Sequence, residues 1–217
     1  MGSQKYIFLQ ALIITLVVFN LGIYFGYKLE SYRINKIDRM YFESEMLLLD
    51  QRLQGDSFDV ANLNCDKVFQ ENVNFADKIF EEASIIGEYE KASRINQDII
   101  LQHKRFDLLR TLFWVNSIKI KNYCNLSYHN VVYIYRYNEP TFDQSSKQAV
   151  FSNLLLELKE EKGSEIMLIP IAGDGNLSSI DILLDSYGVK EFPSILIDEK
   201  IILTEIRNRE DIEKHLS

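Results

Sequence analysis

Three patterns of apolar spacing follow one another along the chain: an unbroken run, a three-four repeat, and short bursts of alternating strand and helix. The first lies between Lys5 and Lys28, where 22 residues carry no charge. Its centre, Ala11-Leu12-Ile13-Ile14-Thr15-Leu16-Val17-Val18-Phe19, belongs to a stretch that as helix is long enough to cross a hydrocarbon core of roughly 30 Å. Gln10, Thr15 and Asn20 are polar but uncharged, and the apolar side chains outweigh them at roughly −0.3 to −0.6 kcal/mol each. Residues 1–30 are therefore expected to be a membrane anchor crossing at residues 6–28, with Tyr6, Tyr24 and Tyr27 near the two interfaces. A cleaved signal peptide would have an apolar core of about 7–15 residues ending in small residues of the Ala-x-Ala type, and none precede Lys28. Gly22-x-x-x-Gly26 has the spacing that lets two such helices approach, so a homodimer through Gly22 and Gly26 is one expectation.

From 31 to about 125 the pattern is helical and free of proline. Ile34, Ile37, Tyr41, Leu48 and Leu49 form one stripe that ends at Gly55-Asp56, and Val68, Phe69, Phe75, Ala76, Ile79, Phe80 and Ala83 form a second. A turn is expected around Gly87. A third helix then carries Ile99, Phe106, Leu109, Phe113 and Ile120 to Cys124. The three make a hairpin or small bundle, with Trp114 in its core or against the next domain.

Beyond Asn125 the period changes. Val131-Val132-Tyr133-Ile134-Tyr135 reads as a buried strand, residues 145–162 as a helix, and Glu165 to Ile169 as a second strand, with Pro170 near its end or on a sheet edge. Asp174-Gly175-Asn176 turns the chain, and Ser178 or Ser179 caps a helix bearing Ile180, Leu183 and Leu184. Ser194 to Ile197 and Ile201 to Ile206 then flank Asp198-Glu199-Lys200 as a hairpin, and a helix over 209–216 closes the chain.

Charge and cysteine content add two constraints. A net charge of −8 and no stripe of Lys or Arg oppose nucleic-acid binding. Cys65 and Cys124 bracket the helical hairpin, where the start of one helix meets the end of its antiparallel neighbour, so a disulfide is expected there. It would close a loop of about sixty residues, stabilise by roughly 4 kcal/mol and persist only in an oxidising compartment. Lys28, Arg33, Lys36 and Arg39 after the span point the other way, since by the positive-inside rule they favour a cytoplasmic chain. On balance the domains are expected to be extracytoplasmic on a single-pass anchor.

The stretch Tyr187-Gly188-Val189-Lys190-Glu191-Phe192-Pro193-Ser194-Ile195-Leu196-Ile197-Asp198 resembles the proline loop of thioredoxin-like domains, and the element order over 128–217 is similar to the thioredoxin core. The resemblance implies an α/β fold with a mixed sheet flanked by helices at 127–217, after an α-helical segment at 31–126 and the transmembrane helix. It also implies a Cys-x-x-Cys pair facing the proline. This chain has Phe142-Asp143-Gln144-Ser145 there and no cysteine after Cys124, so the thiolate that exchange chemistry needs is missing.

Ser145 is read as an N-cap, since no histidine is placed to activate it. Phe142, Ser145, Phe192 and Pro193, with Pro193 expected to be cis, form a candidate peptide-docking surface. His103, His129 and His215 lack metal-ligand spacing, and the Asp174 turn lacks the ligands of a calcium loop, so no metal or cofactor is expected. The leading expectation is a single-span protein that presents a redox-inactive thioredoxin-like domain to a protein or peptide partner, for assembly or chaperone-like work. The alternative is a thiol-disulfide oxidoreductase, or its accessory subunit, using Cys65 and Cys124.

Overall fold

The computed structural model describes residues 2–58, 62–92 and 97–216, and the chain divides into two compact units, Met1–Met46 and Leu47–Ser217. Helix α1 (Gly2–Ser57) holds Tyr6–Leu29, 24 residues long and apolar enough to cross a membrane, near the N-terminus as a signal sequence would also be. Thr15 Oγ1 and Asn20 Nδ2 donate to the carbonyls of Ala11 and Leu16 at 2.9 and 2.7 Å. These two side chains thus find backbone acceptors within the segment, as hydrocarbon would require. The apolar segment and the residues that follow it to Ser57 are one helix rather than two, because no glycine or proline lies between Lys28 and Gly55 to interrupt it.

In the second unit, helices α2 (Cys65–Ala92) and α3 (Gln97–Cys124) lead into β1 (His129–Tyr135), α4 (Phe142–Lys162), β2 (Ile166–Ala172), α5 (Ser178–Ser186), β3 (Ser194–Ile197), β4 (Ile201–Leu203) and α6 (Glu210–Glu213). The turn expected at Gly87 is not there: Gly87 lies inside α2, which continues to Ala92. One glycine costs a helix only about 1 kcal/mol, too little to end it among Glu, Ala and Lys. The side chains of Ile34, Ile37, Tyr41, Ala83 and Ile99 lie outside the described residues. Ser178 and Ser179 do not cap α5. Leu177 holds the N-cap position without a side-chain bond, and Asp181 supplies the acidic group of the first turn.

The four strands form one mixed sheet in the order β2-β1-β3-β4. β1 pairs parallel with β2 and antiparallel with β3, and β3 pairs antiparallel with β4. A parallel β1–β2 pair needs a crossover element, which α4 supplies. Both faces of the sheet are covered, which is why β1 reads as a continuous apolar run. Val132 and Ile134 point to the side where Leu109, Phe113 and Trp114 of α3 and Ile180 and Leu184 of α5 pack. Val131 and Tyr133, one residue out of phase, face Phe151, Leu155 and Leu158 of α4 and Ile212 of α6. The helical segment and the sheet therefore share a core, centred on α3, rather than each having its own.

Two loops set the site, one leading into β3 and one following β2. Pro193, buried and joined to Phe192 by a cis peptide bond, leads into β3 at Ser194. Gly173, just past β2, faces the Phe192 ring: a Cβ there would overlap Phe192 Cζ and stand 2.8 Å from Ile134 Cγ2. Gly173→Ala is therefore expected to lower stability by about 1–3 kcal/mol through overpacking. Urea unfolding at neutral pH checks this; an unchanged midpoint would mean that the Phe192 ring yields freely.

Candidate functional site

The start of α4 differs from the sequence reading. Thr141, not Ser145, is the N-cap: its hydroxyl accepts from Gln144 N, and the Gln144 side chain accepts from Thr141 N. This capping box satisfies two otherwise orphaned amides. Ser145 is exposed in the first turn with its N–H bonded to Thr141 O at 2.9 Å. Of the proposed docking residues, Phe142 is 90% exposed, whereas Phe192 packs against the core and Pro193 is buried. The two rings thus differ in setting, Phe142 standing in solvent and Phe192 packing inward. Phe192 turns inward because Gly173 leaves it a slot.

A cavity of about 750 Å³ lies beside β2, walled by α2, α3, α4 and the first two strands. Its apolar wall includes Phe80, Leu155, Leu156 and Leu168, and its polar wall includes Arg110, Ser145 and Gln148. The outward edge of β2 is engaged at its two ends, with Leu168 and Pro170 between them. Ile166 O accepts from Lys159 Nζ at 2.9 Å and Ala172 N donates to Asp107 Oδ1 at 3.2 Å. Pro170, two residues from Ala172 on the same alternation, has no N–H at all. Burial pushes the Lys159 ammonium below its usual value, and Asp77 partly offsets this.

Against the end of β2 sits a polar cluster that sequence reading missed. Asp107, with no exposed surface, lies 2.9 Å from His103 Nδ1 and 3.5 Å from Arg110 Nη1. His103 Nε2 lies 3.0 Å from the Tyr135 hydroxyl, and Tyr137 stacks on the imidazole at 3.6 Å. With its proton on Nδ1, His103 donates to Asp107 and accepts from Tyr135. A hydroxyl, an imidazole and a carboxylate in series are the order that activates a nucleophile. Here the hydroxyl is a phenol, and the carboxylate is shared with Ala172 N and Arg110. The arrangement positions Asp107 and Arg110. The sequence did carry a signal: His103, Asp107 and Arg110 recur at helical spacing within the buried stripe of α3.

The β3–β4 turn forms a second cluster. Asp198 and Glu199 have φ of 48° and 59°, a left-handed region that costs non-glycine residues of order 1–3 kcal/mol unless the surroundings hold them. Asp198 accepts from Lys121 Nζ at 2.7 Å and Asn130 N at 3.0 Å, and lies 2.6 Å from His129 Nδ1. Glu199 accepts from Trp114 Nε1 at 2.7 Å and Asn130 Nδ2 at 3.1 Å. Together they fasten the turn to α3 and β1. Burial pushes the Asp198 carboxyl up, but the bonds from Lys121, His129 and Asn130 outweigh it and hold it below its usual value. Glu199 is pushed up by burial, only partly countered by Trp114 and Asn130.

A depressed folded-state pKa gives stability that is present above the unfolded value, about 3.9 for aspartate, and is lost as pH falls through the folded value. Asp198→Asn is thus expected to cost about 2 kcal/mol at pH 7 and to weaken the loss of stability below about pH 4. Urea unfolding at pH 7 and pH 3 checks both; an equal cost at the two pH values would contradict the assignment.

Cys65 and Cys124 form a disulfide that ties the start of α2 to the end of α3. Among the described residues no three metal-ligating side chains converge. No protein-family model and no curated protein matches this chain.

Proposed function

We propose that this chain is a membrane-anchored binding protein whose C-terminal module is thioredoxin-like and redox-inactive. One observation carries the reading: the order strand, helix, strand, helix, hairpin, helix is laid on a β2-β1-β3-β4 sheet with a proline leading into β3, yet no cysteine lies in it. That order resembles the thioredoxin core. Where a redox relative would place its thiols, the helix start has a capping box and two side chains, Phe142 and Ser145, that cannot exchange disulfides.

The 90% exposed Phe142 ring is the side chain best placed to meet a protein partner, since aromatic rings contribute large contact area at low entropic cost. The apolar Tyr6–Leu29 segment would hold the module at the membrane, and the disulfide favours an oxidising, extracytoplasmic side.

The test is a disulfide-reductase assay on the full chain in lipid nanodiscs, with dithiol reductant and a disulfide-linked fluorogenic peptide. No turnover above the reductant's own rate is expected. Turnover that disappears in Cys65→Ser would overturn the proposal and favour thiol exchange through Cys65 and Cys124.

A further inference from the structure

The cavity beside β2 has a floor and walls that a peptide strand does not suit and an amphiphile does. The outward edge of β2 is bonded by Lys159 at Ile166 and by Asp107 at Ala172 and lacks an N–H at Pro170, so strand addition would find only Leu168 with both an N–H and a C=O to offer. The apolar wall, in contrast, is left in water: Phe80 is 59% and Leu156 40% exposed. At about 750 Å³ the cavity falls within the roughly 300–1,000 Å³ of small-molecule sites.

One group marks where a polar head would go. Arg110 is 7% exposed, lines the cavity, and has its buried Nε–H without a hydrogen-bond partner. Its carboxylate neighbour does not saturate it. Asp107 is 3.5 Å from Nη1, longer than the roughly 2.7–2.9 Å of a charge-assisted bond, and it also serves His103 and Ala172 N. A guanidinium donates best to an anionic oxygen. The other charges in the wall do not compete for that role. Lys159 Nζ is committed to the carbonyls of Gly163 and Ile166 at 2.7 and 2.9 Å, and Asp77 and Glu160 are exposed, where water screens them.

We propose that this cavity binds an amphiphile, an apolar chain ending in an anionic oxygen group, with its head on Arg110 and its chain against Phe80, Leu155, Leu156 and Leu168. The head is the carboxylate of a free fatty acid or the phosphate of a lysophospholipid, which offer Arg110 the same acceptor chemistry.

The experiment uses the full chain in nanodiscs of neutral phosphatidylcholine, photolabelled with a diazirine analogue of palmitate and mapped by peptide mass spectrometry. Label is expected on α4 and β2, around Leu156 and Leu168. Palmitate or lysophosphatidate should compete at concentrations about tenfold or more below hexadecanol, which lacks the anionic head. Whichever of the two acids competes at lower concentration identifies the source. Arg110→Gln should weaken competition by palmitate about tenfold and leave hexadecanol unchanged. Ala149→Trp, at an exposed alanine of the cavity wall, should abolish cavity label without moving the melting temperature. Equal competition by palmitate and hexadecanol, label confined to Tyr6–Leu29, or undiminished label in Ala149→Trp would each overturn the proposal.

Discussion

Asp107→Ala is expected to lower the unfolding free energy by about 3–5 kcal/mol, the usual cost of removing one partner from a buried ion pair. Asp107 has no exposed surface, and its loss would strand the 7% exposed Arg110. The Ala172 N–H and His103 Nδ1 would lose their acceptor as well. Because Ala172 ends β2 and Asp107 lies mid-way along α3, the damage should reach the core between helix and sheet. The double variant Asp107→Ala/Arg110→Leu separates causes: if the stranded cation dominates, the double variant should be more stable than Asp107→Ala alone. If the two are equally stable, the lost bonds to Ala172 and His103 carry the effect. Urea unfolding of the three proteins under one set of conditions measures this.

Reduction of the Cys65–Cys124 disulfide is expected to cost about 4 kcal/mol. The cysteines are 59 residues apart, and the chain-entropy model gives about 3 kcal/mol for a 15-residue loop and 4.7 for a 100-residue loop. The bond closes α2 against the end of α3, the helix that contributes Asp107, Trp114 and Lys121 to the contacts with the sheet and its hairpin. Unfolding with and without a phosphine reductant should therefore show a large drop in midpoint. A change under about 1 kcal/mol would mean that the helical contacts close this loop without the covalent link.

The elements with strong period were legible in the sequence. The β1 run, the apolar face of α2 and the stripe of α3 follow from side-chain spacing alone, and the missing N–H of Pro170 left either a strand end or a sheet edge, of which β2 is the edge. Boundaries were less so. Thr141 and Ser145 are equally good caps by residue type, and only Gln144 closing a box with Thr141 decides between them. Gly87 looked like a turn because glycine weakens helices, but one glycine among good helix formers is tolerated.

The site was the least legible part. Phe192 points into the core because Gly173, nearly twenty residues earlier, leaves room for its ring. The role of Asp107 depends on the end of β2 arriving beside α3. Both are products of tertiary packing that no local pattern encodes. The acidic pair Asp198-Glu199 was visible as a hairpin turn, but its grip on Lys121, His129, Asn130 and Trp114 appears only once α3 lies beside that turn.

The most direct test of the account is protease protection in the native host. Protease is added to intact cells and the chain is followed with an antibody against residues 128–217. If the module lies outside the cytoplasm, as proposed, the epitope should vanish while the cells remain sealed. An epitope that survives until the cells are lysed would put the module in the cytoplasm and contradict the account.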